Sequence, residues 1–225
     1  MSVCGRRQFS RHVTSSRSNN MLLPETVFLQ LAANFATILH LCAQEDDIEC
    51  AKVLMILAFT YQCEGRYLYQ ELTSHSIWQS MRFWNAAFLH AVHTERKLRI
   101  SNSKCFSQQT EDQREEAAEM HKNIFFGQLS SFISNMSAFE LPAAQIAEFR
   151  EKMFQMSDMD TEQMDMLRQI SPPVGKAHES EFSFSDQFES FKERSKSMFQ
   201  SFSRSLSSIE IGHTNSDGAD KIATE

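Results

Sequence analysis

The sequence predicts an all-α protein built as a single bundle of about six to seven helices. Glycine and proline are scarce, at 6 and 4 of 225 residues, whereas methionine and phenylalanine are abundant, at 12 and 19. That balance favours long helices over a turn-rich sandwich or barrel. Apolar residues recur at intervals of three and four, the period of a helix with one buried face. We expect one domain over residues 23–171, between disordered tails at 1–22 and 172–225.

The first helix is predicted to start at Pro24 and to run to about Gln44, because proline suits a first helical position. Asp46 or Asp47 then suits the N-cap of a second helix, where a carboxylate faces the positive end of the backbone dipole. That second helix is predicted from Ile48 to about Cys63. It is apolar on nearly every side, as expected for a central helix, and Gly65 is predicted to end it.

A short helix from Tyr67 to Thr73 and a long helix from Ile77 to about Arg99 follow, with Ser76 as the predicted cap of the long one. The apolar stripe of the long helix contains both tryptophans of the protein. We therefore expect it to be the main packing helix. Its predicted structural core consists of four aromatic side chains: Trp78, Phe83, Trp84 and Phe88.

Residues 100–112 are polar and aperiodic, which predicts a long loop. A further helix is predicted over residues 113–139, and Pro142 is predicted to start another that runs to about Met156. Thr161 is the predicted cap of a last short helix, which ends before the pair Pro172-Pro173.

Both tails are predicted to be disordered. Residues 1–22 hold four arginines and no acid, a bias shared by mitochondrial transit peptides, but too few apolar residues for an amphipathic face. Residues 172–225 are rich in serine and charge, and cannot bury enough apolar surface to offset the entropy of ordering.

One segment of the second tail, residues 184–209, has an amphipathic pattern. Aromatic side chains recur there at helical spacings among cationic ones, as in helices that enter a groove or lie on an anionic membrane. Its candidate interaction residues are Phe184, Phe188, Phe191, Phe199, Phe202, Lys192, Arg194 and Lys196. Its many serines lower helix propensity and favour a segment that is disordered on its own, and the alternative is that a partner folds it.

Charge and cysteine content narrow the classes of function. A net charge of −7 argues against nucleic acid as a partner, because proteins that bind it collect lysine and arginine. No apolar run reaches the ~18 residues of a membrane-spanning helix. Five cysteines without CxxC spacing suggest neither a disulfide framework nor a zinc ribbon. We expect free thiols and a cytoplasmic protein.

The common chemical motifs are absent from the sequence: phosphate-binding glycine loops, the nucleophile elbow, the HExxH helix and the EF-hand. His90 and His93 lie one helical turn apart, but no further ligand follows at a fixed spacing to complete a metal site. Cys105 beside Lys104, and the acids of the 113–139 helix, are better explained as exposed and structural groups. The sequence thus predicts no catalytic residue, cofactor, metal ion or small-molecule substrate.

Residues 77–88, IWQSMRFWNAAF, contain a tryptophan followed by Arg-Phe-Trp and an aromatic, with Glu95-Arg96 after them. This pattern resembles the helical domain beside or after the DENN module in SET-binding factors, which are myotubularin-related pseudophosphatases, and in the MAP-kinase-activating death domain protein. The run LHLCAQEDDIECAKVLM, residues 39–55, is similar to a small uncharacterised KIAA-series protein that carries such a domain alone. The resemblance covers about residues 24–171.

The resemblance implies a scaffolding domain without catalytic residues. In the larger relatives, exchange of nucleotide on Rab GTPases belongs to the DENN module, which this chain is too short to contain. We therefore expect a non-catalytic cytoplasmic adaptor that binds other proteins, in signalling or vesicle traffic. The alternatives are a peripheral membrane protein that uses residues 184–209, and an accessory regulator of a small GTPase.

Overall fold

The structure, a computed structural model, describes residues 2–15, 21–100 and 110–170. These ranges contain seven α-helices, two 3-10 helices and three very short strands, which confirms the predicted all-α bundle. The helices are α1 (Val3–Ser15), α2 (Glu25–Glu45), α3 (Ile48–Ala58), α4 (Met81–Ile100), α5 (Glu111–Ala138), α6 (Ala143–Gln155) and α7 (Thr161–Ile170). The 3-10 helices span Leu68–Leu72 and Ser76–Gln79, and the strands are β1 (Met21–Leu22), β2 (Tyr61–Cys63) and β3 (Arg66–Tyr67).

The turn between α2 and α3 follows from two adjacent aspartates. Asp46 closes α2 in the left-handed conformation, with φ of 58°, which aspartate tolerates better than most residues. Asp47 then caps α3, because its Oδ1 accepts the backbone N–H of Cys50 at 3.2 Å. Of the two predicted caps, the structure selects Asp47.

The prediction that α3 continues to Cys63 is wrong. The helix ends at Ala58, and β2 pairs in parallel with β1 and antiparallel with β3. Alternate burial along β2, with Tyr61 and Cys63 inside, gives these residues the period of a strand. Gly65 does not end a helix; with φ of 83° it forms the turn between β2 and β3.

The predicted helix from Ile77 is broken into two pieces at Ser80. Ser76–Gln79 is a 3-10 helix, and its cap is His75 rather than Ser76, since His75 Nδ1 accepts the N–H of Ile77. The break allows both indoles to donate while fully buried. Trp78 Nε1 bonds the carbonyl of Leu72 at 2.8 Å, and Trp84 Nε1 bonds the carbonyl of Trp78 at 2.7 Å.

The remaining helices start at identifiable caps. Thr110 and Gln113 form a capping box that starts α5 two residues before the predicted position. Pro142 is the N-cap of α6, so this helix starts one residue after the predicted position. The cap of α7 is Asp160 rather than Thr161, because its Oδ1 accepts the N–H of Gln163 at 2.8 Å.

The predicted disordered tail over residues 1–22 is wrong for residues 3–15, which form α1. Polar contacts hold this helix where the sequence lacks a wide apolar face. Arg6 is fully buried and pairs with Glu45 and Asp47, each at 2.9 Å. At the far end, Tyr61 donates its hydroxyl to the carbonyl of Val13 at 2.8 Å.

Helix α2 is long and apolar enough to cross a membrane by length and composition, although polar residues interrupt its apolar run. Core helices of soluble proteins share this property. Here Phe28, Phe35 and Leu39 on one face of α2 lie in the core, while the opposite face is uncharged and exposed.

Candidate functional site

The four predicted core aromatics form one continuous cluster at the start of α4. Trp78, Phe83, Trp84 and Phe88 are all at most 1% exposed. Trp78 and Phe83 contact edge to face with ring centroids 5.2 Å apart, and Phe88 contacts Phe132 of α5 at 5.5 Å. No polar ligand can reach these rings, so their role in the structure is packing.

The interaction residues predicted in the segment 184–209 lie outside the described residues. This holds for all eight: Phe184, Phe188, Phe191, Phe199, Phe202, Lys192, Arg194 and Lys196. Their role stays a prediction from the sequence.

The two histidines of α4 are not brought together with a third ligand in the described part of the chain. His93 is exposed, whereas Nδ1 of His90 lies 2.9 Å from Nζ of Lys52 on α3. Lys52 is only 5% exposed, and burial lowers its pKa to about 8. Burial, and then the charge of Lys52, likewise lower the pKa of His90. The neutral His90 ring is thus the acceptor for the lysine.

A groove of about 470 Å³ lies between α4 and α5, at the end where residues 101–109 join the two helices. Its apolar floor includes Met120 and the buried Ile124. Glu95, buried at the α4 side, bonds Arg99 at 2.8 Å. We call this feature the α4–α5 groove.

The α5 side of the α4–α5 groove carries exposed acids. Glu116 and Glu119 stand one helical turn apart there, and Glu119 also lies 3.6 Å from Lys122. An apolar floor beside exposed carboxylates suits a ligand that offers both apolar side chains and cations. The sequence indicated only that the acids of this helix are structural groups, because no local pattern places them beside α4.

Two thiols and a carboxylate form a cluster under α1, where the sequence predicted only free thiols. The sulfurs of Cys42 and Cys50 and a carboxylate oxygen of Asp47 all lie within 4.8 Å of one another. Both cysteines are buried, and both are free thiols. The separation of eight residues between Cys42 and Cys50 could have indicated this contact from the sequence, because it connects the last turn of one helix to the first turn of the next.

Comparison with known proteins gives the family. The chain is 24% identical over 270 residues to the human protein named "Uncharacterized protein KIAA0513", with 72% of this chain and 66% of that relative covered. The chain thus spans slightly less than two thirds of the relative's length. The profile of one family, SBF2, described as "Myotubularin protein", matches residues 3–171.

The chain belongs to the SBF2 family. The resemblance to SET-binding factors noted in the sequence is therefore confirmed. The SBF2 match begins at residue 3, so it includes α1, which the resemblance from residue 24 onward had left out. No solved structure matches this chain.

Proposed function

We propose that this SBF2-family chain is a non-catalytic adaptor that binds segments of other proteins through the α4–α5 groove. The observation that supports this is the groove itself, in which Met120 and Ile124 form an apolar floor next to the carboxylates of Glu116 and Glu119. The proposed ligand is a helical segment of a partner protein with apolar residues on one face and lysine or arginine beside them.

The chemistry of the groove favours this ligand over an acidic or a neutral one. An apolar anchor buried against Met120 and Ile124 supplies affinity, because removal of apolar surface from water is favourable. Cations beside that anchor face the exposed acids, which mainly sets specificity and the rate of encounter. The net charge of −7 adds a long-range attraction for cationic partners.

A display library of helical peptides tests the proposal without a known partner. Apolar residues are fixed at one face, the other positions are randomised, and selection is carried out on the full chain. We expect enrichment of lysine and arginine, and a loss of binding in the double variant Glu116→Lys, Glu119→Lys. The matched control is Glu148→Lys, Glu162→Lys, which makes the same charge change at exposed positions of α6 and α7. Peptides without charge preference, or equal binding to both variants, would contradict the proposal.

We place the adaptor in the cytoplasm. The proposal is supported by the buried cysteines Cys42, Cys50 and Cys63, which are free although two of them are neighbours. Free neighbouring thiols are typical of a reducing compartment. The alternatives of membrane association through residues 184–209 and of regulation of a small GTPase stay predictions, because no feature of the described residues favours either.

A further inference from the structure

Cys42 and Cys50 are neighbours in space as well as buried. Cys42 lies in the last turn of α2 and Cys50 in the first turn of α3, and their sulfurs are no more than 4.8 Å apart. A disulfide needs sulfurs about 2 Å apart. The gap is small, and it separates two terminal helical turns joined by a short loop, which can adjust more easily than the middle of a helix.

The surroundings distinguish the two thiols. Cys50 is near the positive N-terminal end of α3. A hydrogen bond from the Cys42 thiol lowers the pKa of Cys50, and the charge of Arg6 lowers it further, against the opposing effects of burial and of Asp47. The same hydrogen bond raises the pKa of Cys42, as does burial. Cys50 therefore ionises first, and Cys42 keeps its proton beside it.

A metal ion fits the cluster poorly, although two thiols and a carboxylate are a reasonable donor set for zinc. Both carboxylate oxygens of Asp47 already accept hydrogen bonds. Oδ1 accepts the backbone N–H of Cys50, and Oδ2 accepts the Nε–H of Arg6 at 2.9 Å. A cation there would lie against a buried guanidinium and would have to displace it. The geometry therefore favours chemistry between the two sulfurs.

We propose that Cys42 and Cys50 form a reversible dithiol–disulfide pair that hydrogen peroxide oxidises. The Cys50 thiolate attacks one peroxide oxygen, which cleaves the O–O bond, gives a sulfenic acid and releases hydroxide. Cys42 sulfur then attacks the sulfenic sulfur, and the S–O bond breaks. The two thiol protons leave in two water molecules, so the two sulfurs are oxidised by two electrons and one peroxide is reduced.

Helix α1 controls access to the pair. Cys50 donates its S–H to the carbonyl of Arg6 at 3.8 Å, and the Arg6 side chain bridges to Glu45 and Asp47 on either side of the α2–α3 turn. Peroxide reaches the sulfurs only when α1 lifts. Oxidation also removes the thiol that donates to α1, so the disulfide form is expected to hold this helix less tightly.

Peptide mapping of the full chain tests the proposal. Reduced protein is treated with hydrogen peroxide, alkylated without reductant and digested with trypsin. Cys42 and Cys50 stay in one peptide, because no lysine or arginine separates residues 18 and 51. We expect the mass of that peptide to be lower by two hydrogen atoms than the mass of its unalkylated dithiol form. A second cleavage of this peptide at the acidic residues 45–47 should leave its two halves joined by the disulfide until reductant is added.

Two variants test whether α1 controls the rate of disulfide formation. Arg6→Lys keeps the positive charge but weakens the docking of α1. The rate of disulfide formation should then rise by roughly tenfold or more, in proportion to the population in which α1 is lifted. Cys63→Ala, which removes another buried thiol, should leave the rate unchanged.

Retention of both thiols at a peroxide exposure that oxidises the exposed Cys4 would overturn the proposal, as would pairing of Cys42 or Cys50 with other cysteines. Stoichiometric binding of zinc that requires both thiols would also overturn it in favour of a metal site. A rate that Arg6→Lys leaves unchanged, with α1 shown by hydrogen exchange to be loosened, would refute control by α1.

Discussion

At the scale of single residues, the indole of Trp84 combines packing with a buried hydrogen bond. Trp84→Ala leaves a cavity and should lower the free energy of unfolding by roughly 3–5 kcal/mol. Trp84→Phe keeps most of the ring but leaves the carbonyl of Trp78 without the N–H that it accepts at 2.7 Å. It should cost about 1–3 kcal/mol. Chemical denaturation measures both values, and equal, negligible losses would contradict the placement of this ring.

Lys52 is a buried cation that should destabilise the protein at neutral pH. Burial lowers its pKa from 10.5 to about 8, so between these values the unfolded chain holds a proton that the folded chain has lost. The free energy of unfolding should therefore rise as the pH increases from 8 to 10.5, and the penalty is fully present below pH 8.

Lys52→Met removes this penalty with a side chain of similar volume. It should raise the stability at pH 7 by roughly 1–3 kcal/mol and flatten the rise between pH 8 and 10.5. Lys152→Met, at an exposed position of α6, is the control and should change neither. Denaturation at several pH values measures both effects; a lower stability of Lys52→Met at pH 7 would show that the bond to His90 outweighs the cost of burial.

At the scale of elements, α1 depends on one arginine. Arg6→Ala leaves Asp47, whose side chain is 10% exposed, without its cation and should cost about 3 kcal/mol. The neighbouring pair of Arg7 and Glu49 is exposed and 3.6 Å long, so Arg7→Ala should cost about 0–1 kcal/mol. Thermal melts and hydrogen exchange of residues 3–15 separate the two variants. Equal effects would mean that burial of the guanidinium contributes nothing.

Sequence patterns predicted the long helices well because their apolar period is strong. The ends of α2, α5 and α6 lie within about two residues of the predicted positions, where Pro24, the acids of the α2–α3 turn and Pro142 gave local signals. Helix α3 was predicted too long, since the pattern of Tyr61 and Cys63 fits a buried helix as well as a buried strand. Helix α1 was missed because its main anchor is an ion pair to residues about forty positions away, which no local pattern reveals.

At the scale of the whole molecule, the fold class and the family followed from the sequence, but the candidate site did not. The α4–α5 groove needs the side-by-side placement of two helices whose connection, residues 101–109, gives no pattern. The dithiol pair likewise depends on how α2 turns into α3. Periodicity identifies which face of each helix is buried, whereas the surfaces left between helices depend on how they pack.

Binding of other proteins through the α4–α5 groove is the function that we propose for this chain. Proximity labelling in cells can test this function with four proteins: the wild type, the Glu116→Lys, Glu119→Lys variant, the Glu148→Lys, Glu162→Lys control and a chain that ends at Ile170. We predict a set of neighbouring proteins that the wild type, the control and the shortened chain share and that only the groove variant loses. Identical sets for the groove variant and the wild type would contradict the claim.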